Sequence, residues 1–374
     1  MKKAGIYIHI PFCIKKCAYC DFYSVAYDEH TANNYVDALI NELSLFERRE
    51  IDTIYFGGGT PSLLASEQVS RILSAINDRM AVCDGAELTL EANPATANRQ
   101  KLSELRSVGI NRLSVGIQST DEQALKALGR LHTKNDAFSF IDDARSVGFD
   151  NISADIMLAL PKDSREKTIK TVKEISSLPL RHISAYLLKI MENTPFYQST
   201  PEGIPCDDEQ AALYELCCET LEEKGFKQYE ISNFAKAGYE SRHNLKYWNC
   251  EDYIGLGAAA HSCLDGKRYS FARNITKFVD LFDGKTEFDE QAALRMLDAE
   301  GAVDAEDYIM LRLRTTYGLS LGKLYDLYSF QFEEKKIKYV ESCASSGLLN
   351  FDGNDIRLTR RGFLVSNSII SSLI

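Results

Sequence analysis

The 374-residue chain contains no apolar run approaching the roughly 18 residues that a membrane-spanning helix requires. A signal-peptide core is missing too, because Pro11 and a group of cysteines interrupt the apolar stretch that follows Met-Lys-Lys. Positive charge is not in excess. With 43 Lys and Arg against 54 Asp and Glu the formal charge is −11, so sequence-independent attraction to nucleic-acid phosphates is not expected. No low-complexity linker and no internal repeat beyond a β-α alternation is visible, and the near-average composition argues against a disordered or fibrous chain. Ten cysteines without a secretion signal point to the reducing cytoplasm, where thiols serve metal or redox chemistry.

The first half alternates short apolar runs with amphipathic stretches. Strands are expected at Gly5–Ile10, Thr53–Gly57, Glu87–Ala92, Arg112–Gly116, Asn151–Leu158 and His182–Leu188, with helices around 34–48, 66–77, 98–108, 136–147 and 164–177 between them. Six strands joined by helical crossovers give a parallel α/β sheet, whose functional groups belong at the C-terminal strand ends. Periodicity alone leaves open whether that sheet closes. Residues 1–200 are expected to form this core, and 201–288 an accessory segment completing it. From 289 to 374, three helices and a hairpin around Asp352-Gly353 suggest a small winged-helix-like domain. Its nine Lys/Arg against ten Asp/Glu from Glu300 onward speak for docking or lid duty rather than DNA binding.

Cys13, Cys17 and Cys20 form C-x3-C-x2-C directly after the first strand. Three thiolates on one loop can hold three irons of a [4Fe-4S] cube and leave the fourth iron open to a small chelating ligand. A structural zinc knuckle is the alternative, but three ligands fall short of a closed tetrahedral site. The other seven cysteines show no metal spacing, and Cys217-Cys218 would point apart on a helix.

Other chemistry-bearing residues fall at strand ends. Gly57-Gly58-Gly59-Thr60-Pro61 closes the second strand, Glu91 the third and Gln118 the fourth; Arg130 follows that unit and Asp155 lies in the fifth strand. Each alone reads as a turn, a cap or a surface ion pair. The order of the set resembles the radical S-adenosylmethionine (SAM) superfamily, whose cysteine loop follows the first strand of a partial (β/α)6 TIM-type barrel. That resemblance implies a [4Fe-4S] cluster on the three cysteines with SAM chelated to its open iron. It further implies that Tyr7, Gly58 and Glu91 contact this SAM, and that Tyr19, Gly59, Thr60, Gln118, Arg130 and Asp155 match positions that bind a second SAM or SAM generally.

Tyr7-Ile-His9-Ile-Pro-Phe-Cys13 is similar to the oxygen-independent coproporphyrinogen III dehydrogenases. Two features depart from them: Phe22 stands where those enzymes carry a further cysteine, and only six residues precede Tyr7. His243-Asn-Leu-Lys-Tyr247-Trp248 instead resembles the haem chaperones of the same branch. That resemblance implies haem as cargo and apo-haemoproteins, such as membrane respiratory enzymes, as partners; the dehydrogenase activity is the alternative. His243, Tyr247 and Trp248 are the expected haem contacts, since imidazole ligates iron and Tyr and Trp offer flat faces. On the residues alone, a loop pinned by hydrogen bonds is the competing reading.

Overall fold

A computed structural model describes residues 3–284 and 297–374. Its centre is a sheet of six parallel strands: β1 (Lys3–Ile10), β2 (Glu50–Gly58), β3 (Ala81–Ala92), β4 (Arg112–Gln118), β5 (Asn151–Leu158) and β6 (His182–Leu187). They lie side by side in chain order. Such an order with right-handed crossovers puts every helix on one face and leaves the opposite face lining a lumen. The crossovers are α1 (Glu29–Glu42), α2 (Ser66–Arg79), α3 (Arg99–Ser107), α4 (Glu122–Leu128), α5 (Lys134–Ser146) and α6 (Arg165–Ser176). α4 was not foreseen. It is a seven-residue turn of helix between the Asp121 cap and the left-handed Gly129, too short to show a period.

Strand alternation decides what lies where. Ile6, Ile8, Ile54, Phe56, Leu90, Leu113, Val115, Ile152 and Ala154 are buried in the core that includes the helix residues Val36, Leu39, Val69, Ile72, Leu102 and Ile141. The intervening residues, Gly5, Tyr7, Thr53, Tyr55, Thr89, Glu91, Arg112, Ser114, Ser153 and Asp155, line the lumen. Register keeps them level, with Gly5 opposite Thr53, Tyr7 opposite Tyr55, and Glu91 opposite Ser114.

The sheet does not close on itself. The free edge of β1 takes a further parallel strand, Tyr253–Leu256, and β6 pairs antiparallel with Asn233–Ala235. Beyond Tyr253–Leu256 the sheet continues through His261–Leu264, Lys267–Phe271 and Leu297–Ala302, all antiparallel. The Gly/Ala-rich residues 254–261 are therefore partly a strand. The expected boundary at 289 lies outside the described residues, and Leu297–Ala302 still belongs to the large sheet.

A second core follows. Ala305–Arg312, Leu321–Tyr328 and Glu334–Ser345 pack with a three-stranded sheet of Leu319–Ser320, Asp355–Leu358 and Leu349–Phe351 around Ile309, Leu313, Leu324, Val340 and Ile356. This is the winged-helix-like arrangement expected. It joins the barrel through Tyr229–Ile231: Ile231 N donates to Arg314 O (2.9 Å) and Thr316 N to Tyr229 O (3.0 Å). Among the described residues, no helix is long and apolar enough to cross a membrane.

Glu230 is fully buried at this junction, accepting a hydrogen bond from Ser232 N (3.0 Å). Burial raises its carboxyl pKa to about 7. A folded pKa above the unfolded one means that the stabilising contribution is complete below the unfolded pKa and is lost as pH rises through about 7. Glu230→Gln is therefore expected to raise the melting temperature at pH 8, by about 2 kcal/mol of stability, with the advantage shrinking toward pH 5. Thermal melts of both proteins across that range check it.

Candidate functional site

The C-terminal strand ends form the mouth of the lumen, and the cysteine loop crosses it. Phe12–Cys13 pairs with Val25–Ala26, so the chain between them is a closed excursion. Ala18 fixes its middle: its N–H donates to Leu128 O at the end of α4 (3.1 Å), and its carbonyl accepts from Phe196 N (3.0 Å). Hydrogen-bond donors approach the sulfurs. Thr60 Oγ1 donates to Cys13 Sγ (3.5 Å) and Arg130 Nη1 to Cys17 Sγ (3.6 Å). Burial pushes the Cys20 thiol up to about 11; the Phe22 backbone N–H opposes this, and the Cys17 and Cys13 sulfurs add to it. Among the described residues no three His, Cys, Asp or Glu side chains converge as ligands of one ion would. Three thiols spread over one loop, with cationic and hydroxyl donors on their sulfurs, fit a cluster better than a single-metal knuckle.

Beside the loop lies a glycine cradle. Gly58 has φ +106°, and a Cβ there would sit 2.5 Å from the His9 ring; one on Gly59 would lie 2.7 Å from Phe12 O. A Cβ on Gly57 would strike both Tyr7 and Tyr55 at 2.9 Å. Glu91 reaches under this turn, accepting from Gly58 N (3.1 Å) and Tyr55 Oη (2.9 Å). Burial, followed by the Asp155 charge, raises its carboxyl to about 7. Two buried carboxyl groups close together, with their charged forms disfavoured, mark a candidate functional site. Asp155 itself accepts from Ser114 Oγ (3.4 Å) and is raised by burial.

Across the mouth, Arg130 Nη2 donates to Gly116 O (2.6 Å), next to Gln118, which is buried at φ +68°. Tyr19 packs against the apolar group of Leu128, Met157, Leu160, Leu188 and Phe196. Burial pushes its hydroxyl up, while Arg130 opposes this. Tyr7 Oη is hydrogen-bonded to His9 Nδ1 (3.0 Å), whose Nε2 faces Tyr23 O (3.0 Å); burial lowers His9 to about 4, so it is neutral at pH 7. The three cysteines and Tyr7, Tyr19, Gly58, Gly59, Thr60, Glu91, Gln118, Arg130 and Asp155 thus gather at one mouth.

His243, Tyr247 and Trp248 do not join them. They lie on the short helix Arg242–Trp248 at the opposite, N-terminal end of the lumen. The Glu87 carboxylate caps this helix, accepting from Arg242 N (3.3 Å) and His243 N (3.2 Å). The His243 ring is completely buried, Nδ1 bonded to Thr53 Oγ1 and Nε2 to Tyr247 Oη, both at 2.8 Å. Neither nitrogen is open to iron in this conformation, and Tyr247 spends its hydroxyl on the ring. Trp248 is half-buried. The physical reason is Gly5: a Cβ there would lie 2.7 Å from Thr53 and 3.0 Å from the imidazole, so its absence makes the slot that the ring fills.

Sequence reasoning missed Tyr55, Thr53, Arg112 and His182. His182 is bonded to Ser153 Oγ (2.7 Å) and Tyr229 Oη (2.8 Å), and Arg112 Nη1 donates to Thr89 Oγ1 (3.4 Å). Their signal was available as polar residues at alternate positions of otherwise apolar strands. His132, unassigned from sequence, bonds Ile117 O (3.1 Å) and Asn93 Oδ1 (3.3 Å), and His261 pairs with Glu300 (2.6 Å).

Gly59→Ala is expected to destabilise the protein by about 2–3 kcal/mol, because its methyl meets rigid backbone. Gly85→Ala, with open space and φ +72°, should cost only about 1 kcal/mol. Denaturant unfolding of the two variants gives the comparison, and equal losses would remove the packing role assigned to Gly59.

The radical SAM superfamily profile matches residues 7–175, and the HemN C-terminal domain profile residues 302–365. "Heme chaperone HemW" of Bacillus subtilis is 34% identical, the alignment covering 100% of this chain and 99% of that one. The protein of the same name from Lactococcus lactis is 31% identical over 100% and 98%. The one from Escherichia coli is 39% identical over 69% of each chain. Among solved structures, the coproporphyrinogen III oxidase HemN of Escherichia coli superposes with a TM-score of 0.84 at 22% identity, over 100% of this chain and 90% of that one. That likeness is one of fold.

Proposed function

Because the chain belongs to the HemW family of radical SAM proteins, we propose that it is a haem chaperone of the cytoplasm, which binds haem as cargo and delivers it to apo-haemoproteins. Kinship with HemW relatives over the full length of the chain, both cores included, carries this reading. Cys13, Cys17 and Cys20 hold a [4Fe-4S] cluster. Such a cluster with one open iron supplies a chelation site for the amino and carboxylate groups of SAM. Glu91 receives the SAM ammonium, and the Gly57–Gly59 backbone and Tyr7 flank it. Gly59, Thr60, Gln118, Arg130, Asp155 and Tyr19 form the rest of the pocket wall. Arg130, held by Gly116 O and directed at Cys17 Sγ, places positive charge beside the thiolates.

An apolar rim supports the cargo assignment. Ile14, Phe22, Leu131 and Tyr197 are 47–63% exposed around the cysteine loop, and Phe196 N–H ties the Tyr197 segment to Ala18. Apolar side chains exposed around one loop suit a flat macrocycle or the acceptor protein that takes it. Apo-haemoproteins of the respiratory chain are the proposed acceptors.

Anaerobic reconstitution tests the proposal. About four irons and four sulfides per chain are expected, and none of this loading in the Cys13/Cys17/Cys20 triple Ala variant. The reconstituted protein should take up one haem and release it to an apo-haemoprotein, followed by the Soret band. Incubation with SAM, dithionite and coproporphyrinogen III should leave the porphyrinogen unchanged. Protoporphyrinogen as product would replace the chaperone assignment with the dehydrogenase one.

A further inference from the structure

We propose that His243, braced by Thr53 and Tyr247, is a positioning residue: it holds Tyr55, and through Tyr55 the carboxylate of Glu91, in place for SAM. This rests on the reading that Glu91 receives SAM. It gives the His-Asn-Leu-Lys-Tyr-Trp string a task other than ligating haem.

The contacts form one stack from the closed end of the lumen to its mouth. The His243 ring lies against Tyr55 with centroids 5.3 Å apart and planes at 26°, and against Tyr7 at 6.5 Å and 28°. Tyr7 and Tyr55 stack on each other at 6.2 Å and 27°. Tyr55 Oη then donates to Glu91 Oε1 at 2.9 Å. A Cβ on Gly57 would overlap Tyr7 and Tyr55 and lie 3.2 Å from Glu91 Oε1, so the three side chains converge in the space that this glycine leaves. Ring separations of this size are those of favourable aromatic pairs, and a close-packed interior resists their displacement.

The rear of the stack is clamped as firmly as the front. Both imidazole nitrogens are bonded, and Tyr247 packs edge-on to the imidazole (5.1 Å, 86°) and to Tyr253 (4.6 Å, 81°). Glu87, which caps the His243 helix, lies on β3 four residues before Glu91, on the same face of that strand. One strand therefore anchors the helix at its lower end and presents the SAM carboxylate at its upper end. Lys246 pins the helix to β2 as well, through Asp52 at 2.9 Å. Burial lowers His243 to about 3, so the ring stays neutral and its geometry is constant across physiological pH.

The experiment measures SAM affinity of the anaerobically reconstituted protein by calorimetry, together with the change that SAM makes in the electron paramagnetic resonance spectrum of the reduced cluster and a haem titration. Glu91→Gln should weaken SAM most. His243→Ala is expected to weaken it about tenfold, the size of one charge-assisted hydrogen bond, with iron content and haem stoichiometry retained. Tyr247→Phe removes one hydroxyl and preserves the packing, so it tests the brace even where His243→Ala fails to fold; it should weaken SAM several-fold. A merely structural role would lower the melting temperature without moving the affinity of the folded protein. If Glu91→Gln weakens SAM while His243→Ala and Tyr247→Phe leave it unchanged, the inference is overturned and the SAM site stands. Unchanged SAM affinity in Glu91→Gln overturns both. Loss of haem in His243→Ala with SAM affinity intact would make His243 a haem ligand and sink the positioning role.

Discussion

The constraint on which this structure turns is the polar lumen. Six sequential parallel strands send their apolar side chains outward to the helices and their polar ones inward, where water is largely excluded. Buried hydroxyls, imidazoles and carboxylates need partners. An open barrel cannot supply all of them from its own strands. The segment Tyr229–Trp248 makes up the deficit, with Tyr229 bonding His182, His243 bonding Thr53, and Tyr247 bonding His243. The region between the barrel and the terminal domain is thus structural to the lumen, and its removal would leave several buried groups unpaired at once.

The sequence shows the outer half of this arrangement well. Each of the six strands was foreseen to within a few residues, apart from an early extension of β3, because Val, Ile, Leu and Phe at alternate positions between helical periods leave little else to build. The cysteine loop, the glycine turn and Glu91 were legible because each sits directly at a strand end, where local position and spatial position agree. The pairing at the sheet edge was not legible. The parallel pairing of β1 with Tyr253–Leu256 joins segments some 250 residues apart, and nothing in Tyr-Ile-Gly-Leu announces it.

The placement of His243 was illegible for a related reason. A His, Tyr and Trp within six residues has the composition of a haem contact and equally that of a pinned turn. What separates the two is an absence at a remote position: Gly5 leaves a slot of imidazole size beside Thr53. Composition records the side chains that are present, whereas the slot is created by one that is missing. Likewise, Tyr55 gave no motif, yet it touches His243, Tyr7 and Glu91.

Distances along the strands explain why the closed end can matter to the mouth without reaching it. Thr53 and Gly58 are five residues apart on β2, about 16 Å of extended chain. No imidazole bridges that span, so His243 can influence a ligand at the mouth only through intermediate layers. Successive inward-facing residues are spaced by two residues, roughly 6.6 Å. The ring separations of 5.3 to 6.5 Å from His243 to Tyr55 and Tyr7 match that step. One aromatic layer therefore fills the gap between the bracing histidine and the carboxylate level. A layer of smaller side chains would leave a void there, and Glu91 would keep only its bond from Gly58 N.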